Sequence, residues 1–264
     1  MQAAASILIM TAPTFVNGSL AKGLSKQSIE YLATAARICS DAIDEYMVDA
    51  ILAQRAGRSP ARLATRLQAG VARLLARPGI YGSLVMGTAR SFGYYYVIPE
   101  VMEDDLVFSV AIGFINTRTR LVPQGIYPVV KVTRHSVERL HQRLNTTNFG
   151  DVYFEIVTIT LMALDMNLAA AQTGSRQWAL PSRRGMFVAV PGEPPSLTTL
   201  VTWLSFDNLG SRWSSLVADL RQMPGLGALG AVHRAQMAEV LSRHPWLREP
   251  YEPHPEPAFG PRTP

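Results

Sequence analysis

Cysteine, lysine and paired metal ligands are all scarce in this chain of 264 residues. The one cysteine, Cys39, excludes an intrachain disulfide, and without a second thiol it excludes a zinc knuckle. The five histidines form no His-x-x-x-His or His-x-His pair and no carboxylate cluster accompanies them, so neither a metal nor another cofactor is expected. No Walker A or Gly-x-Ser-x-Gly sequence occurs. Gly225-Leu226-Gly227-Ala228-Leu229-Gly230 fits the dinucleotide-binding glycine pattern, yet it follows a helix and Pro224 rather than a strand and reads as a loop. The first 21 residues carry no charged side chain, so the apolar run Ile7 to Met10 lacks the basic flank of a signal peptide. Only one other apolar stretch, Val152 to Ala171, is long enough for a bilayer, and it holds Glu155 and Asp165, which are costly there. A buried helix is expected, with no membrane insertion.

What the chain does contain is apolar material and arginine. Hydrophobic residues make up 48% of it, enough for one large or two modest soluble domains, and a reducing, cytoplasmic setting suits the single thiol. The formal net charge is +5, and Lys22, Lys26 and Lys131 are the only lysines among 25 basic residues. Arginine favours planar, bidentate contact with phosphate or carboxylate, although a GC-rich genome produces the same bias.

From Ser25 to Ala56 apolar residues recur at Ile29, Leu32, Ala36, Cys39, Ile43, Tyr46 and Ala50, one stripe of an amphipathic helix. Gly57 ends it, and Ser59-Pro60 opens a second helix running to about Arg77. The pattern then changes to period two. Leu106, Phe108, Val110, Ile112 and Phe114 predict a strand with one apolar face, with further strands at Phe92 to Ile98 and Val129 to Val132. A helix is expected from Thr133 and another over 149–172. Met186 to Val190 and Leu197 to Leu204 form a hairpin around Pro191-Gly192. The sequence therefore predicts an α+β fold, an N-terminal helical hairpin packed with an antiparallel sheet and flanking helices. Its expected divisions are an N-terminal segment over 1–24, the helical hairpin over 25–85, an α+β domain over 86–243 and a Pro-rich disordered tail over 244–264. Seven prolines in residues 245–264 imply little packing there.

Two arginine arrangements carry candidate chemistry. On the second helix Arg62, Arg66, Arg73 and Arg77 fall within an arc of about 60°, with Leu63, Leu67, Val71 and Leu74 opposite. Residues 55–77 hold six arginines and no acid, so this stripe suits a nucleic-acid backbone, an acidic protein partner or an anionic surface. Pairing with Asp41, Asp44, Glu45 and Asp49 of the preceding helix is the alternative. The second arrangement is His135, Arg139 and Arg143 at i, i+4 and i+8, beside Glu138 and Gln142, with Val137, Leu140 and Leu144 facing the core. A neutral imidazole at a helix start can serve as a general base, and the arginines can hold a phosphodiester. An ordinary amphipathic helix, with Glu138 paired to an arginine and His135 or His141 completing local hydrogen bonds, is the other reading.

A strand feeding a helix with His-x-x-x-Arg-x-x-x-Arg, then a further helix and paired strands, resembles the small ribonuclease toxins of the barnase, EndoU, colicin and RelE type of fold. The resemblance covers residues 105–205. It implies metal-independent RNA cleavage by the 2′-hydroxyl, with His135, Arg139 and Arg143 as catalytic residues and Thr199 or Thr202 as phosphate contacts. The chain is larger than those toxins, opens with a helical hairpin and has no evident second catalytic residue. The expected function is thus RNA or DNA engagement, with ribonuclease activity at the His135 helix. The alternative is a non-enzymatic adaptor or assembly protein whose arginines face an acidic protein partner. Nothing in the sequence sets the oligomeric state.

Overall fold

A computed structural model describes residues 16–32, 34, 41, 60–76, 81–88, 91–102, 105–116, 124–194, 197–223 and 231–252. Asn17 opens the first helix, α1 (residues 18–32): its Oδ1 accepts the amide of Leu20 and its carbonyl accepts that of Ala21, both at 2.9 Å. The helix therefore starts within the uncharged leader, earlier than apolar periodicity alone indicates. Helix α2 (Pro60–Leu75) precedes four strands, β1 (Tyr81–Thr88), β2 (Ser91–Met102), β3 (Asp105–Asn116) and β4 (Gln124–Val132). Helices α3 (Arg134–Leu144) and α4 (Phe149–Thr173) follow, then β5 (Trp178–Pro181), β6 (Gly185–Pro191), β7 (Thr198–Ser205), α5 (Ser211–Arg221) and α6 (Ala231–Ser242). The architecture is α+β.

The seven strands form one sheet in the order β1-β2-β3-β4-β7-β6-β5. Every neighbouring pair is antiparallel except β4 and β7, which run parallel with Val130 opposite Thr198, so the sheet is mixed rather than wholly antiparallel. The chain leaves β4 through α3 and α4 and builds the β5-β6-β7 unit, whose last strand returns to pair with β4. A parallel pair needs such a long crossover, and local periodicity carries no trace of it.

Helix α4 is apolar over most of its surface because most of it is enclosed. Val152, Ile156, Ile159, Ala163 and Met166 pack in one core with Leu106, Phe108, Val110, Val130 and Val132 of the sheet, each large side chain contributing roughly 1.5–3 kcal/mol by burial. The helix has the length and composition to cross a membrane, yet 67% of that span is buried inside the protein. Its two buried carboxylates are ion-paired, Glu155 with Arg184 and Asp165 with Arg234. Asn148 caps its start and Gly174, at φ 70°, its end.

The reverse face of the sheet carries a second core, where Leu67 and Val71 of α2 meet Phe92, Tyr94, Tyr96, Ile98, Ala111 and Ile115. This corrects the reading of β3 as a strand with one apolar face. Leu106, Phe108 and Val110 face the first core, but Ile112 and Phe114, further along the same face, are exposed while Val107, Ser109, Ala111 and Ile115 on the other side are buried. The strand is thus covered on both faces over Leu106 to Ala111 and on one face beyond.

The expected boundary at residue 244 also shifts. Residues 245–248 form a 3-10 turn whose Leu247 is fully buried, and Trp246 packs edge-on against Trp213 with ring centres 4.7 Å apart. The Leu247 carbonyl accepts the amides of Arg176 and Gln177 at 2.7 and 3.2 Å. Proline at 245 is compatible with this because the first residue of a turn needs no amide proton. Residues 253–264 lie outside the described residues.

Candidate nucleic-acid interface

Helix α3 is fixed at both ends. Thr133, in extended conformation, caps the start by accepting the Ser136 amide at 3.2 Å, and Asp105 accepts the Arg134 amide at 3.2 Å. Asn145 ends the helix in the left-handed region, at φ 47°. Its Oδ1 also accepts the amide of Val16 at 2.9 Å, tying the start of α1 to this corner. Val137 and Leu140 are fully buried, and the Ser136 hydroxyl donates to the Leu200 carbonyl of β7 at 2.8 Å. The helix thus lies along β7 in one orientation.

Its outward row separates into two parts. His135 is exposed, and Arg139 donates from Nε to His135 Nε2 at 3.3 Å and from Nη1 to Gln142 at 2.9 Å. In this arrangement Nε2 of His135 faces the Arg139 guanidinium. Arg143 instead reaches the β7 backbone, where Nη1 donates to the Trp203 carbonyl. Glu138 pairs with Arg134 at 3.5 Å. Of the threonines, Thr199 is half-buried and Thr202 buried. The structure therefore brings His135 and Arg139 together and holds Arg143 at the sheet.

The residues that periodicity does not pick out lie in the β5–β6 turn, Ser182-Arg183-Arg184. Trp203 Nε1 donates to Ser182 Oγ at 3.2 Å, and Ser182 donates to the Gly185 carbonyl from both its amide and its hydroxyl, at 2.8 and 3.0 Å. A Cβ at Gly185 would lie 2.3 Å from both the Leu204 carbonyl and the Trp203 ring, so only glycine admits this approach. Glu155, fully buried in α4, accepts the Arg184 amide at 3.3 Å and its Nε at 3.1 Å. Asp151 lies 3.9 Å from the same guanidinium and accepts from Thr146, just past α3, at 2.8 Å.

Two chains of contacts thus connect α3 to the turn. One runs from Arg143 through Trp203 to Ser182, the other from Thr146 through Asp151 to Arg184. Arg143 is thereby joined to the turn that carries Arg183 and Arg184, and Arg184 lies against Asp151 and Glu155. The only signal in the sequence is a basic dipeptide between Pro181-Ser182 and Gly185, a hairpin composition.

On α2 the side chains of Arg66 and Arg73 are exposed, and Leu67 and Val71 on the opposite side are buried, as the helical phase requires. The side chain of Arg62 and all of Arg77 lie outside the described residues, as do Asp44, Glu45 and Asp49; Asp41 is exposed. The glycine pattern over 225–230 also lies outside them. Among the described residues no group of three or more His, Cys, Asp or Glu side chains is placed to hold a metal ion. No protein-family model, curated protein or solved structure matches the chain.

Proposed function

We propose that this protein engages nucleic acid through the arginines of α3 and of the β5–β6 turn, with Arg66 and Arg73 of α2 as further backbone contacts. The observation that carries this reading is the attachment of Arg143 to the β5–β6 turn that bears Arg183 and Arg184, through the Arg143–Trp203–Ser182 chain. Arginine forks suit phosphate oxygens, and a fixed scaffold lowers the entropy lost when they bind. The net charge of +5 favours approach of a polyanion.

The test is fluorescence anisotropy of labelled RNA and DNA oligonucleotides across a salt series. The logarithm of the binding constant should fall linearly with the logarithm of salt concentration, and Arg139→Gln combined with Arg183→Gln should flatten the slope. Retention on heparin without binding to any oligonucleotide overturns the proposal and favours an acidic protein partner.

Metal-independent RNA cleavage is the second reading, and the His135–Arg139 contact at 3.3 Å favours it. The contact supports a neutral imidazole beside a phosphate-binding group. Release of Arg139 to a phosphate would free the Nε2 lone pair to take a proton from a 2′-hydroxyl.

A further inference from the structure

Phe154 is out of place for a phenylalanine on an apolar helix. Its neighbours Glu155, Ile156 and Val157 are buried, whereas Phe154 remains 45% exposed. The guanidinium carbon of Arg183 stands over its ring, 6.0 Å from the centre. That separation is at the outer limit of a cation–π contact. It is about 1 Å short of the roughly 6.8 Å that a planar base would need between the two, taking about 3.4 Å for each stacked layer as in a duplex.

The parts around this pair are held firmly. Arg184 is clamped to Glu155 through backbone and side chain, Ser182 is tied to Trp203 and Gly185, and Phe154 projects from the same helix that supplies Glu155. Arg183 sits at the apex, with its side chain exposed. Its long side chain can swing by an ångström without disturbing the turn.

We propose that Phe154 and Arg183 form a platform on which one unpaired base stacks, so that the nucleic acid engaged here is single-stranded. The inference rests on the nucleic-acid reading above and adds the class of ligand. A base inside a duplex has both faces covered by its neighbours and cannot use the platform. Arg143, joined to the turn through Trp203, supplies a phosphate contact to the adjoining backbone. Aromatic and guanidinium surfaces recognise any base by its face, so the platform selects strandedness rather than sequence.

The experiment compares wild type, Phe154→Ala, Phe154→Trp and Arg183→Gln on a labelled 12-nucleotide single-stranded RNA and on the same sequence as a duplex. Phe154→Ala should weaken single-strand binding about tenfold, within the range that stacking of one base supplies, and leave the salt slope and the duplex affinity unchanged. Phe154→Trp should restore wild-type affinity or exceed it. Arg183→Gln should weaken single-strand binding and lower the magnitude of the salt slope by about 0.7. Unchanged single-strand affinity in Phe154→Ala, or an equal loss on single strand and duplex, overturns the platform while leaving nucleic-acid binding in place. Failure of the wild type to bind either RNA overturns both.

Discussion

Glu155, wholly inside the protein, meets Arg184 at 3.1 Å, and that guanidinium stands partly in water. A buried carboxylate is tolerated because its partner and the Arg184 amide satisfy it. Arg184→Ala leaves the charge uncompensated and should cost about 3 kcal/mol in urea unfolding, the lower end of the range for such pairs because solvent can reach the vacated site. Arg183→Ala, one residue away on the exposed apex, should change stability by no more than about 0.5 kcal/mol. Equal costs at the two positions would contradict the division of labour within the turn.

His141 supplies the pH dependence. The ring is buried between α1 and α3, with Nε2 2.8 Å from the Ser28 hydroxyl, Nδ1 2.7 Å from the Thr146 carbonyl and Phe149 edge-on. Burial lowers its pKa below the usual histidine value, and the hydrogen bond to the Thr146 carbonyl opposes this in part. The unfolded chain therefore binds a proton at higher pH than the folded one. Its stabilising effect is complete above about pH 6.5 and is lost as pH falls from there toward the lower folded value. Urea midpoints should fall between pH 7.5 and 5, and His141→Gln should flatten that decline. Ser28→Ala should cost about 1–2 kcal/mol at pH 7.5 by leaving Nε2 without its partner.

Sequence patterns revealed what is local. Thr133 as the start of a helix, the apolar 149–173 helix, and Leu67 and Val71 as the core side of α2 all follow from spacing and capping chemistry. The parallel β4–β7 pairing does not, because strand order depends on contacts between residues some 70 positions apart. The candidate site divides similarly. His135 and Arg139 share a helix face and were visible in the sequence. Arg184 and Glu155 lie 29 residues apart, and Glu155 read simply as a charge interrupting an apolar run. The bond from Arg143 to the Trp203 carbonyl crosses 60 residues, and only the tertiary fold creates it.

Proline content misjudged the segment after His244. With Leu247 at zero exposure and its carbonyl bound to two amides, truncation after His244 should destabilise the protein by about 3 kcal/mol or more, measured by thermal and urea unfolding. Truncation after Glu252 should leave stability within about 0.5 kcal/mol of the full chain. Trp246→Ala should fall between the two, because it removes the edge-on contact with Trp213 and keeps the Leu247 anchor.

Cleavage at His135 makes the most exposed prediction, since binding and chemistry depend on different atoms. In single-turnover assays with labelled RNA, His135→Ala should abolish cleavage and leave affinity nearly unchanged, because the imidazole moves a proton and does not hold phosphate. Arg139→Ala should impair both, as it contacts His135 and supplies a guanidinium. Arg143→Ala should reduce binding and also loosen α3 against β7, which thermal unfolding would detect. Cleavage should persist in EDTA, because among the described residues no group of side chains is placed to hold a metal ion. A wild-type preparation that binds RNA without cutting it removes the enzymatic reading, and a His135→Ala variant that cuts at the parental rate removes His135 as the base.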